Sequence, residues 1–275
     1  MSRFGQRSTR AEEHDPLGVG ALFFDNFNHS SLDPRKWTVV DRMSDQANGE
    51  VNGCLPGNVE LLNSKLRITA KHESCQSNDR DVNPPHDFIT PLQNFDYTSG
   101  HIQQATAPFR YGTVEARLKP PGGTGVWPCF WMLGENWQPS QPYTANVAGH
   151  NWPVDGWCEV DIAEFFAGAR DKVNCTMHWQ TAGSLFEPNL PYDATTRFMV
   201  YRLQWTSTSL VWSVDPEDGT GFQTLRTISG GAGSVPNVPM YIILNMAVGG
   251  TGGGTPNPAT FPLTMEVDWV RVTQP

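Results

Sequence analysis

Thr113-Val114-Glu115-Ala116-Arg117-Leu118-Lys119 places its apolar side chains on every second position. A period of two is the mark of a strand with one face in a core and the other toward water. Leu210-Val211-Trp212-Ser213-Val214 is another run of strand-forming residues. Outward from these, strands are expected at 21–24, 37–40, 58–62, 65–71, 98–105, 111–119, 126–133, 158–166, 172–179, 198–206, 209–215, 222–228, 239–248 and 263–272. No stretch of a dozen residues keeps a 3.6-residue period, although 31–37 could hold one helical turn. Many short strands punctuated by 26 Gly and 22 Pro predict an all-β sandwich or barrel.

Composition narrows the function. The 275-residue chain is 17% charged with a net charge of −9, against roughly 25% charged in an average soluble domain. No basic block stands out, so nucleic acid and anionic membrane surfaces are poor partners. No apolar run approaches the ~20 residues of a membrane span. Residues 1–20 read as a polar tail without the apolar stretch of a signal peptide. Residues 21–275 read as a single domain, with no repeat and no shift in composition.

The five cysteines (Cys54, Cys75, Cys129, Cys158 and Cys175) include no CxxC pair, which argues against a zinc site. Cys54 and Cys75 lie in loop-like sequence and could pair, whereas Cys129 and Cys175 read as small buried side chains. Segments 72–96 and 134–157 read as long loops, and long loops in compact domains are usually functional. The run Gly249 to Gly254 reads as too flexible for a core.

Gly156-Trp157-Cys158-Glu159-Val160-Asp161-Ile162-Ala163-Glu164-Phe165-Phe166 carries three carboxylates in six positions of an otherwise apolar strand. Glu159 and Asp161 share a face, and Val160 and Ile162 take the other. Glu164 is five residues from Glu159, so a regular strand would turn it into the core, where an unpaired carboxylate is expensive. One extra residue, a bulge near Ile162-Ala163, returns Glu164 to the face of the other two. Three aligned carboxylates repel one another, so at least one should keep its proton near neutral pH. A low-pKa carboxylate beside a raised one suits glycoside hydrolysis. A solvated acidic strand face is the plainer reading of the same spacing.

Ten tryptophans are present, six of them (Trp127, Trp131, Trp137, Trp152, Trp157 and Trp179) within 53 residues. In Gly125-Val126-Trp127-Pro128-Cys129-Phe130-Trp131-Met132, positions 127, 129 and 131 share a strand face. Core packing is the competing reading for any one indole. Two on one face, with Trp137, Trp152 and Trp157 in the adjoining loop, fit a surface that stacks on sugar rings. Low charge favours a neutral polysaccharide over an ionic ligand.

Glu159-Val160-Asp161-Ile162-Ala163-Glu164 resembles the E-x-D-x-x-E signature of glycoside hydrolase family 16 in its β-bulge variety, which includes laminarinase-like β-1,3-glucanases and agarases. Phe24-Asp25-Asn26-Phe27 with Trp37, Asn58-Val59, Leu66 to Ala70, Tyr97 to Gly100, Tyr111 to Arg117, Gly125 to Gly134, Tyr241 to Gly250 and Met265 to Val272 resemble further family segments, in the family's order. The resemblance covers roughly residues 21–273.

The resemblance implies a β-jelly-roll sandwich of two antiparallel sheets with a concave substrate cleft. It implies endo-acting, retaining double displacement on a β-linked polysaccharide, most simply a β-1,3- or β-1,3/1,4-glucan. Glu159 would be the nucleophile, Glu164 the acid and then the base, and Asp161 a partner that holds the nucleophile by hydrogen bonding. Trp127, Trp131, Asn58, Asn245 and His178 match positions lining the cleft. Read without the family, His178 could be a packed strand residue and Asn245 could bond backbone. No cofactor is implied for catalysis. Asp268 matches a position that in many members helps hold a structural calcium ion. A secreted monomer is expected from the same source. Two departures bear on the sugar: His101 stands where laminarinase-like members usually carry Arg, and Trp157 falls beside the nucleophile strand. They keep agarose, another β-glycan or transglycosylation open. A non-catalytic carbohydrate-binding protein is the reading from another class, although such relatives typically lose one or both glutamates.

Overall fold

The computed structural model describes residues 20–44, 48–78, 80–81, 88–135, 158–179, 182–231 and 233–274. Trp137, Trp152 and Trp157, and nearly all of the 1–20 tail, lie outside the described residues. In chain order the strands are β1 (Phe23–Asp25), β2 (Trp37–Val39), β3 (Arg42–Met43), β4 (Asn52–Cys54), β5 (Val59–Leu61), β6 (Leu66–Ser77), β7 (Arg80–Asp81), β8 (Phe88–Ile89), β9 (Gln93–Ser99) and β10 (His101–Gln104). They continue as β11 (Gly112–Lys119), β12 (Val126–Gly134), β13 (Cys158–Glu164), β14 (Asn174–Trp179), β15 (Ala182–Ser184), β16 (Met199–Trp205), β17 (Ser209–Asp215), β18 (Gln223–Ser229), β19 (Met240–Val248) and β20 (Leu263–Thr273).

Two sheets face each other as a β-jelly-roll sandwich. One runs β18-β17-β16-β11-β20-β6-β9-β4-β3, with β1 added on β20 and β5 on β6. The other runs β15-β14-β13-β12-β19-β10-β2, with every neighbouring pair antiparallel. Strands distant in sequence therefore become neighbours: β19 lies between β12 and β10. The alternation read at 113–119 is realised in β11, where Val114, Ala116 and Leu118 are fully buried between the sheets. Glu115, on the other face, is also buried, because Arg202 Nε (2.7 Å) and Arg271 Nε (2.9 Å) of the flanking strands donate to its two oxygens. Trp37, Trp205, Trp212, Tyr201, Phe27 and Phe130 are among the bulkiest residues of the common core. Burying one such side chain contributes roughly 1.5–3 kcal/mol.

Two expectations are corrected, and the open question of a Cys54–Cys75 pair is answered. Most of 72–77 and 93–96 is strand rather than loop, because β6 runs on to Ser77 and β9 begins at Gln93. His72, Glu73 and Ser74 are exposed, so no alternation betrays them. Gly250–Gly253 forms a short helix, α1, with Gly252 and Gly253 buried. Cys54 and Cys75 are free thiols; Cys54 Sγ accepts from Asn52 Nδ2 (3.6 Å) and Cys75 Sγ donates to Tyr97 O (3.8 Å). Cys129 and Cys175 are buried as expected. Segment 31–37 holds a turn in which Trp37 N donates to Asp33 O.

Candidate active site

β13 lies between β14 and β12 in the seven-stranded sheet and contains the bulge that its carboxylate spacing requires. On the β12 side Trp131 faces Asp161 while Phe130 faces Ala163, so Ile162 is the extra residue. On the β14 side Thr176 faces Asp161 and Asn174 faces Glu164, three residues against two. Ile162 and Ala163 both join the core. Glu159, Asp161 and Glu164 thereby share the outer face, since residues directly opposite in an antiparallel pair lie on the same side. Glu159 faces His178 and Leu133, Asp161 faces Thr176 and Trp131, and Glu164 faces Asn174 and Cys129.

The carboxylates sit in different surroundings. Glu159 is half-buried, whereas Asp161 and Glu164 are 3% and 8% exposed. Burial pushes the Glu164 carboxyl up to about 7, against a smaller lowering by the hydrogen bond from Trp127. Burial, then the charges of Glu164 and Glu159, raises the Asp161 carboxyl well above its ordinary value. His178 Nε2 lies 3.6 Å from Glu159 Oε1 and 3.8 Å from Asp161 Oδ2. Burial lowers the pKa of His178, which favours its neutral form. The site thus offers a protonated carboxyl at Glu164 near neutrality, a second carboxylate at Glu159, and Asp161 between them.

The indoles flank this row. Trp127 Nε1 donates to Glu164 Oε1 (3.0 Å), and Trp131 Nε1 donates to Asn245 Oδ1 (2.8 Å). Asn245 faces Cys129 on one side and His101 on the other, so His101 lies in the same cross-strand row as Glu164. Burial pushes His101 down to about 3, so it is neutral at working pH. Its Nε2 has no hydrogen-bond partner among the described residues. Trp131 also packs with Leu133, Ile243 and Tyr241 in an apolar patch on the outer face. Asn58 has other business: its Nδ2 donates to Thr69 O (2.7 Å) and Thr98 Oγ1 (2.8 Å) in the opposite sheet.

Sequence reasoning passed over several side chains here. Asn174 and Thr176 are buried beside Glu164 and Asp161; strand alternation from His178 would have found them. Gly252 of α1 lies against the Trp127 indole, where an added Cβ would clash with the ring. The glycine run is thus the close-approach surface that seats Trp127 beside the acid.

Glu159, Asp161 and His178 bring ligand atoms within 4.8 Å of one another. Two-carboxylate chemistry of this kind needs no metal. Asp268 does not fit a calcium ion. Its Oδ2 accepts from Arg117 Nη1 (2.9 Å), and Lys65 Nζ lies 3.9 Å from Oδ1, so the protein's own cations already neutralise it. No helix among the described residues is long and apolar enough to cross a membrane.

The family described as "Glycosyl hydrolases family 16" matches residues 57–271. The chain is 30% identical over 279 residues to "Glucan endo-1,3-beta-glucosidase A1" of Niallia circulans, covering 93% of this chain and 38% of that protein. It is 30% identical over 270 residues to "Beta-glucanase" of Rhodothermus marinus, covering 91% of this chain and 84% of the relative. The laminarinase catalytic domain of Thermotoga maritima MSB8 superposes with a TM-score of 0.73 at 26% identity, over 93% of this chain and 98% of that one.

Proposed function

The chain belongs to glycosyl hydrolase family 16, and on that footing we propose that it is an endo-acting retaining hydrolase of β-1,3- or β-1,3/1,4-linked glucan. The observation that carries this reading is the bulge in β13, which sets Glu159, Asp161 and Glu164 on one face with Glu164 raised to about 7. Glu164 protonates the leaving oxygen while Glu159 attacks the anomeric carbon, giving a glycosyl-enzyme. Glu164, now ionised, then deprotonates the water that releases the sugar. Asp161, on the same face between the two, is the residue that would hydrogen-bond the nucleophile and limit repulsion along the row. Trp131 and its apolar patch offer a sugar-stacking face. Trp127 acts chiefly on Glu164, since its N–H is engaged there and Gly252 covers its ring. Residues 21–275 act as a single catalytic domain.

Glucan as substrate is supported by the relatives' names, a family-level signal. The test is incubation with laminarin, lichenan and agarose, with mass spectrometry of the released oligosaccharides. Products from laminarin or lichenan are expected; products from agarose alone would overturn the substrate assignment. Glu159→Gln and Glu164→Gln should each lower kcat by at least about a hundredfold, and wild-type rates in either would overturn the roles.

A further inference from the structure

The bulge that aligns the carboxylates disrupts the ladder locally. Two carbonyls at it, Asp161 O and Ile162 O, accept side-chain donors. Trp212 Nε1 donates to Asp161 O at 2.8 Å, and Cys175 Sγ donates to Ile162 O at 3.8 Å. Trp212 lies on β17 of the opposite sheet and is fully buried, so this bond crosses the interior of the sandwich. Arg226, its cross-strand neighbour on β18, places its guanidinium 5.4 Å from the Trp212 ring centroid. The same guanidinium donates to Cys175 O on β14, the strand paired with the bulge.

We propose that Trp212 is a positioning residue of this active site: its indole N–H, braced by Arg226, fixes the bulge and thereby the spacing between Asp161 and Glu164. The inference rests on the hydrolase reading above. A buried carbonyl deprived of its donor turns toward another partner or recruits water. Here the peptide that turns is the one joining Asp161 to Ile162, directly between the two glutamates. Any core tryptophan would stabilise the fold by burial; this one also holds the peptide on which the catalytic row depends. The Arg226 contact holds the indole plane, so the bond keeps its direction as β13 responds to substrate.

The experiment compares wild type, Trp212→Phe, and a protein carrying 3-benzothienylalanine at position 212. The last keeps the bicyclic shape and replaces N–H by sulfur, so a folding defect in Trp212→Phe leaves the question answerable. Both proteins should lose about ten- to a hundredfold in kcat on laminarin, because a small displacement of a catalytic group is costly. KM should stay within about twofold. The basic limb of the pH profile should move toward acid as water reaches Glu164. Hydrogen exchange in the 158–166 peptide should speed up, a readout independent of any substrate. Wild-type kcat, limb position and exchange in the benzothienyl protein would overturn the proposal. Wild type inactive on every glucan would instead overturn the hydrolase reading, while exchange would still decide whether the indole bond holds the bulge.

Discussion

Glu164 carries the clearest titration signature of the molecule. Burial raises its pKa to about 7 from an ordinary 4.5, so the neutral acid is the working form and kcat/KM should fall as pH rises through about 7. The Trp127 N–H opposes that rise, because it favours the ionised carboxylate. Trp127→Phe should therefore move the basic limb to higher pH, while kcat falls about tenfold through lost orientation; a limb moving toward acid would contradict the contact. The linkage has a definite sign. Between 4.5 and 7 the folded protein holds a proton that the unfolded chain has released, so stability is lost as pH rises across that window. Glu164→Gln removes this dependence, and thermal melts at pH 4 and pH 8 should show its gain over wild type at the higher pH only. The sequence carried this residue's position, its need for a bulge and the expectation that at least one of the three carboxylates keeps its proton. It did not carry the bond from Trp127, which depends on how tightly α1 seats the ring.

At the scale of elements, β13 and α1 show what local pattern can and cannot reveal. Alternation exposed the bulge because a glutamate on the wrong face is a visible contradiction within one strand. The Asp161–Trp212 bond joins residues 51 positions apart, and a core tryptophan reveals nothing in sequence about which way its N–H points. The outer half of β6 was hidden for another reason: at His72, Glu73 and Ser74 both faces meet solvent, so no period exists to read. The parallel pairing of β4 with β9 is likewise non-local. Six consecutive residues of Gly and Thr suggested mobility, yet packing against Trp127 explains the missing Cβ at Gly252 better. Gly252→Ala should displace the indole, destabilising the protein by about 1–3 kcal/mol. It should also move the basic limb in the direction that Trp127→Phe does. A melt unchanged from wild type would show that the ring is free to yield.

At the scale of the whole molecule, two sheets divide the labour. The seven-stranded sheet carries the carboxylates, and the larger sheet carries a charge network on its outer face. Glu115 sits between Arg202 and Arg271 with almost no exposure. Glu115→Ala removes the buried carboxylate that both guanidinium groups share and should destabilise by about 3 kcal/mol, measured by urea unfolding. Asp268 belongs to the same face and is held by Arg117 and Lys65. Adding a chelator should therefore leave the melting temperature unchanged; a drop of several degrees restored by calcium would refute this. The sandwich itself was legible from alternation and turn signals, and the strand order was not, because jelly-roll neighbours such as β12 and β19 are more than a hundred residues apart.

The central claim is that Glu159 and Glu164 act by double displacement. It is tested most directly by proton NMR of the first sugar released from a β-1,3-linked glucan oligosaccharide, recorded before mutarotation. The β-anomer should appear first and the α-anomer grow in later; the α-anomer appearing first would mean inversion and contradict the assignment of Glu159 as nucleophile.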